Sequence, residues 1–168
     1  VELDSQTGYI KSLINKETNT EYASDNFLAI PTVINDDKTD TWAHNVFDFN
    51  RDIGTFSDAK LEIIETGYLR ATIKVTTTYN KSTLTQYISL WRGKKDIEVK
   101  CKLDFNEHYK IAKLAFPMNI ENPEAVYSMP FGFIKKDANG EEEPAQGWIA
   151  VCEKGTNNGV ALVNDSKY

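Results

Sequence analysis

IEVKCKLDFNEHYKIAKLAFPMNI, residues Ile97–Ile120, is the stretch whose reading decides the fold. From Ile97 to Phe105 the odd positions Ile97, Val99, Cys101, Leu103 and Phe105 are apolar, and Glu98, Lys100, Lys102 and Asp104 between them are charged. An alternation of period two describes a strand with one face in the core and one in water. After the polar connector Asn106-Glu107-His108-Tyr109-Lys110 the alternation resumes, with Ala112, Leu114, Phe116, Met118 and Ile120 on one face. Two one-sided strands need a covering layer, and a second sheet is the expected cover in a chain this rich in strand patterns.

Upstream and downstream the same period recurs. Val1–Leu3 and Tyr9–Asn15 flank the turn residues Asp4-Ser5-Gln6-Thr7-Gly8, a hairpin signal. Strands are expected at Ala59–Glu65, Leu69–Tyr79, Thr83–Leu90 and Ile97–Phe105, joined by turns short enough for a meander. In Leu69–Tyr79 the residues Leu69, Ala71, Ile73 and Val75 share one face. Further strands are expected at Val126–Ser128, Phe131–Lys135, Gly147–Glu153 and Val160–Val163, with the acidic loop Asp137–Pro144 between two of them. Glu17 to Asp58 is the least regular part, with a short strand possible at Phe27–Pro31 and a polar turn at Asn35–Asp40. No segment carries sustained helical periodicity. The expected fold class is an all-β antiparallel β-sandwich, one domain over residues 1–168.

Composition narrows the function classes. The chain has 168 residues, of which 40% are hydrophobic, which excludes wholesale disorder. A net charge of −6 without a basic stripe argues against nucleic acid as a partner. No apolar run approaches the roughly 20 residues of a membrane-spanning helix. Two cysteines, Cys101 and Cys152, are too few for a disulfide scaffold. They are read as free thiols in a reducing, cytoplasmic setting, with Cys101 on the buried face of its strand.

Candidate chemistry is sparse. Zinc needs three or four His, Cys or carboxylate ligands at coordinating spacing, and the chain has only His44 and His108. Trp42 and His44 lie in irregular, aromatic-bearing sequence and could face a sugar; the plainer reading is a loop tryptophan and a loop histidine that pack or cap. Trp91 is expected to close a strand end and Trp148 to join a strand core. Glycoside hydrolysis needs two carboxyl groups at a defined separation. Glu141-Glu142-Glu143 is read instead as a solvated loop.

Specific stretches carry a family resemblance. Asp104 through HYKIAKLAFPMNI, then AVYSMPFGFIKK, EEEPAQGWIAV and GVALVNDSKY, resemble the β-sandwich region that follows the catalytic domain in family 38 glycoside hydrolases, the zinc-dependent α-mannosidases. ELDSQTGYIKSLINK resembles the first hairpin of that sandwich, which extends the likeness over nearly the whole chain. The resemblance implies a sandwich of the galactose-mutarotase-like type, without catalytic residues or a cofactor of its own. It implies that this sandwich is a piece of a larger α-mannosidase whose zinc and nucleophilic Asp belong to an upstream catalytic domain. The partners it implies are that domain and, through it, a mannose-containing glycan. Asn164, Asp165, Lys167 and Tyr168 are the residues expected to face the catalytic domain; the alternative is that Asn164-Asp165-Ser166 is a plain β-turn. An independent carbohydrate-binding module and a mutarotase-like sugar isomerase are the competing functions. Val160-Ala161-Leu162-Val163, uncharged and apolar, is expected to leave a strand edge open to self-association, unless Asp165 and Lys167 blunt it.

Overall fold

The computed structural model describes residues 1–23, 27–36, 48–156 and 158–165. Among them every regular element is a strand, and every pairing is antiparallel. The chain begins with a hairpin of β1 (Glu2–Leu3) and β2 (Ile10–Ser12). Asp4 closes it: its carboxylate accepts the N–H groups of Gln6 at 3.0 Å and Thr7 at 2.7 Å, and the Thr7 hydroxyl at 2.8 Å. Gly8 adopts a φ of 73°, and a Cβ there would lie 2.5 Å from Cγ1 of Val75, so the turn rests directly on the strand that carries Val75.

The expected single strand Tyr9–Asn15 is broken. After β2 the chain re-forms as β3 (Ile14–Asn15), which pairs with β4 (Thr20–Glu21). The Glu21 carboxylate accepts the Leu13 N–H at 2.8 Å and also the Ser12 hydroxyl. That side-chain capture competes with the strand ladder at the break.

β5 (Ile30–Asn35) and β6 (Asp52–Thr55) emerge from the region read as least regular. The short strand anticipated at Phe27–Pro31 thus lies a few residues later, because Ala29 turns through a φ of 55°. β7 (Ser57–Thr66), β8 (Arg70–Tyr79), β9 (Ser82–Trp91) and β10 (Ile97–Asp104) form the expected meander, in the order β10-β9-β8-β7. Trp91 does close a strand end; its indole N–H donates to Glu98 at 2.8 Å under the Arg70 guanidinium. β11 (Lys110–Ala115) pairs with β5, giving a sheet in the order β11-β5-β6. The two halves of Ile97–Ile120 therefore enter different sheets.

These two sheets meet over one core. Phe56, Val33 and Leu84 are buried together, with Tyr79, Phe105 and Ala112 packed around them. The Tyr9 hydroxyl donates to the Phe56 carbonyl at 2.6 Å, tying the first hairpin to the same core. A second cluster, Ile10, Ala23 and Leu28, receives Phe116 and Met118 after β11 has ended. Sheet against sheet around an apolar layer is the arrangement of a β-sandwich.

Cys101 is a correction. It is exposed, as are Val99 and Leu103 on the same face, at 42% and 45%. The alternation identified the face, and the register agrees, pairing Val99 with Ile88, Cys101 with Gln86 and Leu103 with Leu84. The covering layer reaches Val75, Leu84 and Ile88 on the inner strands but stops short of β10, the outer one. Gln86 Nε2 lies 3.9 Å from the Cys101 sulfur. Although the residue is exposed, partial desolvation of the sulfur atom pushes that thiol up from its ordinary pKa, and the glutamine partly opposes it.

The last sheet contains β12 (Pro123–Met129), β13 (Gly132–Asp137), β14 (Trp148–Glu153) and β15 (Gly159–Val163), in the order β13-β12-β14-β15. Val160–Val163, expected as an open edge, is paired with β14 on one side and forms the sheet's outer strand on the other.

Candidate functional site

Asn164 and Asp165 follow β15 directly. The Asn164 N–H donates to the Gly147 carbonyl at 2.9 Å, so the β14–β15 ladder runs one pair past its last strand residue. This places both residues at the end of the last sheet that also carries the β12–β13 turn. The same end gathers Ser128, Met129, Phe131, Phe133, Trp148 and Val163. Trp42, His44, Lys167 and Tyr168 lie outside the described residues.

Ser128 organises this end. It is buried, and its hydroxyl oxygen accepts the N–H groups of Gln146 at 3.0 Å, Gly147 at 2.9 Å and Trp148 at 3.1 Å. The chain is thereby held where β14 begins. Phe133 lies opposite Ser128 across β12–β13, and Trp148 flanks Ser128 from β14. Because serine is small, the rings on either side meet over it, with centroids 6.5 Å apart and planes tilted by 48°. Trp148 is half-buried in this pair rather than in a strand core, which corrects the expectation for it. Phe133 remains 62% exposed and Val163, the partner of Trp148 across β14–β15, 74% exposed.

The β12–β13 turn is Met129-Pro130-Phe131-Gly132, with Met129 paired to Gly132. Proline presets the first turn position, and a second position at positive φ completes a type II shape that favours glycine. Phe131 occupies that second position with a φ of 67°. Its ring is fully exposed at the tip of the turn. A bulky residue in the left-handed region without a packing contact to offset the strain is unusual.

Charge at the neighbouring acidic loop is committed to structure. Glu142 accepts the Phe49 N–H at 3.2 Å and pairs with Lys113 of β11, and Glu143 pairs with Lys136 of β13. The loop read as solvated thus bridges the last sheet to the rest of the chain. Burial, and after it the charge of Glu143, pushes the Tyr127 phenol up. A second bridge runs from the Tyr22 hydroxyl, which donates to Asn158 at 2.6 Å.

Zinc does not fit the described residues, among which no group of three or more His, Cys, Asp or Glu could hold a metal. His108 is exposed in a turn, and its carbonyl accepts from the Lys110 ammonium at 3.2 Å. Sequence reasoning missed Ser128 and Phe131. Pro130 at the first turn position was the available signal for the turn, but nothing in a Met-Pro-Phe-Gly string discloses an exposed ring.

The family model for the C-terminal domain of glycosyl hydrolases family 38 matches residues 1–168. No curated protein matches the chain.

Proposed function

Since the chain belongs to glycoside hydrolase family 38, as that family's C-terminal domain, we propose that it is the non-catalytic β-sandwich of a zinc-dependent α-mannosidase, packed against the catalytic domain through the Phe131 end of its last sheet. The sandwich is read as galactose-mutarotase-like, and the zinc, the nucleophile and the mannoside are assigned to the catalytic domain. The observation that carries the reading is Phe131, held at a φ of 67° with its ring in solvent. Strain of this kind is repaid when the ring enters a pocket on a partner. Met129, Phe133 and Val163 extend the apolar surface around it, and Asn164 and Asp165 supply a polar border. Both cysteines are free, which supports a reducing, cytoplasmic setting.

The test mixes the chain with the separately produced catalytic domain of a family 38 enzyme. The expected result is no turnover of an aryl α-mannoside by the chain alone, and binding to the catalytic domain that Phe131→Asp abolishes. Turnover by the chain alone, or binding indifferent to Phe131→Asp and Phe133→Ser, overturns it.

The tilted Phe133–Trp148 pair favours a second reading, an aromatic platform that stacks a sugar ring. Calorimetry with mannose oligosaccharides separates the two. Saturable heat from the chain alone, lost in Phe133→Ala, supports the carbohydrate-binding module.

A further inference from the structure

The sequence holds two Asn-Gly pairs, Asn139-Gly140 and Asn158-Gly159. In such a pair the backbone nitrogen of the glycine can attack the asparagine side-chain carbon and close a five-membered ring. Glycine, without a side chain, obstructs that closure least. The fold treats the two pairs differently.

Asn139-Gly140 lies in the loop between β13 and β14, and both residues are exposed. Gly140 has a φ of 86°, and nothing lies within 4 Å of the place of its Cβ, so the peptide has room to turn as ring closure requires. The Asn139 side chain bonds within its own turn. Its Oδ1 accepts the Glu141 N–H at 3.1 Å, and its Nδ2 donates to Glu141 Oε2 at 3.0 Å. The first bond closes a ring of atoms that contains both Cγ of Asn139 and the Gly140 nitrogen, which keeps the reacting pair together. The same N–H is aimed at the oxygen that turns negative when the nitrogen adds.

Asn158-Gly159 is built the opposite way. The Asn158 Oδ1 is held at 2.6 Å by the hydroxyl of Tyr22, from a remote part of the chain. The Asn158 N–H donates to Thr156 Oγ1 at 3.0 Å, and its carbonyl accepts the Glu153 N–H at 2.9 Å. Gly159 is packed: a Cβ there would lie 2.4 Å from the Val151 carbonyl oxygen and 2.8 Å from both Cα and Sγ of Cys152. Side chain and backbone are fixed together, and ring closure is blocked.

We propose that Asn139 is a self-modification site, at which the folded chain converts its own amide into a carboxylate, while Asn158 is protected by the fold. The Gly140 nitrogen gives its proton to hydroxide and bonds to Cγ of Asn139. The Cγ–Nδ2 bond breaks, and Nδ2 takes a proton from water and leaves as ammonia. A water molecule then opens the imide ring at either carbonyl, leaving aspartate or isoaspartate. The new carboxylate faces Glu141 where the amide had donated to it, and two carboxylates in contact repel. The loop also carries Glu142 and Glu143, paired with Lys113 and Lys136, so the reaction loosens the bridge from the last sheet to β11.

The experiment incubates the whole chain at mildly alkaline pH, folded and, in parallel, in urea, and reads each asparagine by peptide mass spectrometry. In the folded chain Asn139 should become a mixture of aspartate and isoaspartate while Asn158 stays intact. Native isoelectric focusing should show a new acidic band shifted by one charge, and Asn139→Gln should abolish it. In urea both pairs should convert, which assigns the protection of Asn158 to the fold. Asn139→Asp, which fixes the product, should lose intact chain to a glutamate-specific protease faster than the parent does. Asn139 unchanged in the folded chain after it has converted in urea, or equal conversion of Asn139 and Asn158 in the folded chain, overturns the proposal. Asn139→Asp cut no faster than the parent overturns the loosening of the bridge.

Discussion

Replacing Phe131 by glycine should stabilise the isolated chain, although it deletes a large aromatic side chain. An L-residue held in the left-handed region costs roughly 1–2 kcal/mol, and glycine does not bear that cost. Against this gain stands the greater freedom of glycine in the unfolded chain, roughly 0.5–1 kcal/mol. The usual penalty for truncating a phenylalanine, about 3–5 kcal/mol in a core, does not arise because the ring is fully exposed. The balance is a gain of roughly 0–1.5 kcal/mol. Urea melts of the two chains, followed by circular dichroism, read it as a higher midpoint at unchanged slope. Phe131→Ala, which keeps the strained φ and also loses no burial, should stay within about 0.5 kcal/mol of the parent. The same glycine should weaken binding to a family 38 catalytic domain, so stability and docking move in opposite directions. A loss of more than about 1 kcal/mol in Phe131→Gly would refute the reasoning, since the ring would then be packed in the isolated chain.

Three other outcomes follow from the geometry. Ser128→Ala strips the acceptor from the N–H groups of Gln146, Gly147 and Trp148 and should cost about 1–3 kcal/mol in the same melts; a cost near zero would mean that water replaces the hydroxyl. Cys101→Ser should cost less than about 1 kcal/mol because the residue is exposed, against about 3–5 kcal/mol for Phe56→Ala in the core; equal costs would place Cys101 back in the interior. For Asp4, the N–H of Thr7 and then its hydroxyl hold the carboxyl below its ordinary pKa. A depressed folded-state value contributes stability above the unfolded pKa of about 4 and loses it as pH falls through the folded one. The stability gap between the chain and Asp4→Ala should therefore narrow below roughly pH 4, and a gap constant with pH in acid melts would remove Asp4 from that role.

The strands were legible one at a time because a strand's signal is local. Alternation marked β7 to β10 and β12 to β15 to within a few residues, and Asp4 and Gly8 marked a turn by chemistry that acts over three or four residues. β6 escaped because Asp-Ile-Gly-Thr is too short and too polar to alternate. It is held as a strand by β5, a partner that no local pattern reveals. At the candidate site, Asn164 and Asp165 were reached through a likeness in sequence, whereas Phe131 and Ser128 were not reached at all.

What the sequence by itself determined is which residues share a face. Val99, Cys101 and Leu103 do lie together, opposite Ile88, Gln86 and Leu84. Only the tertiary structure decided that this face is covered over β8 and β9 and open over β10, because burial depends on how far a neighbouring sheet extends. The same holds for Phe133 and Trp148, whose rings meet because a serine between them happens to be small. Period two is a property of one strand, and the sequence carries it. The reach of a covering layer is a property of the whole packing, and it exists only once the strands have found their partners.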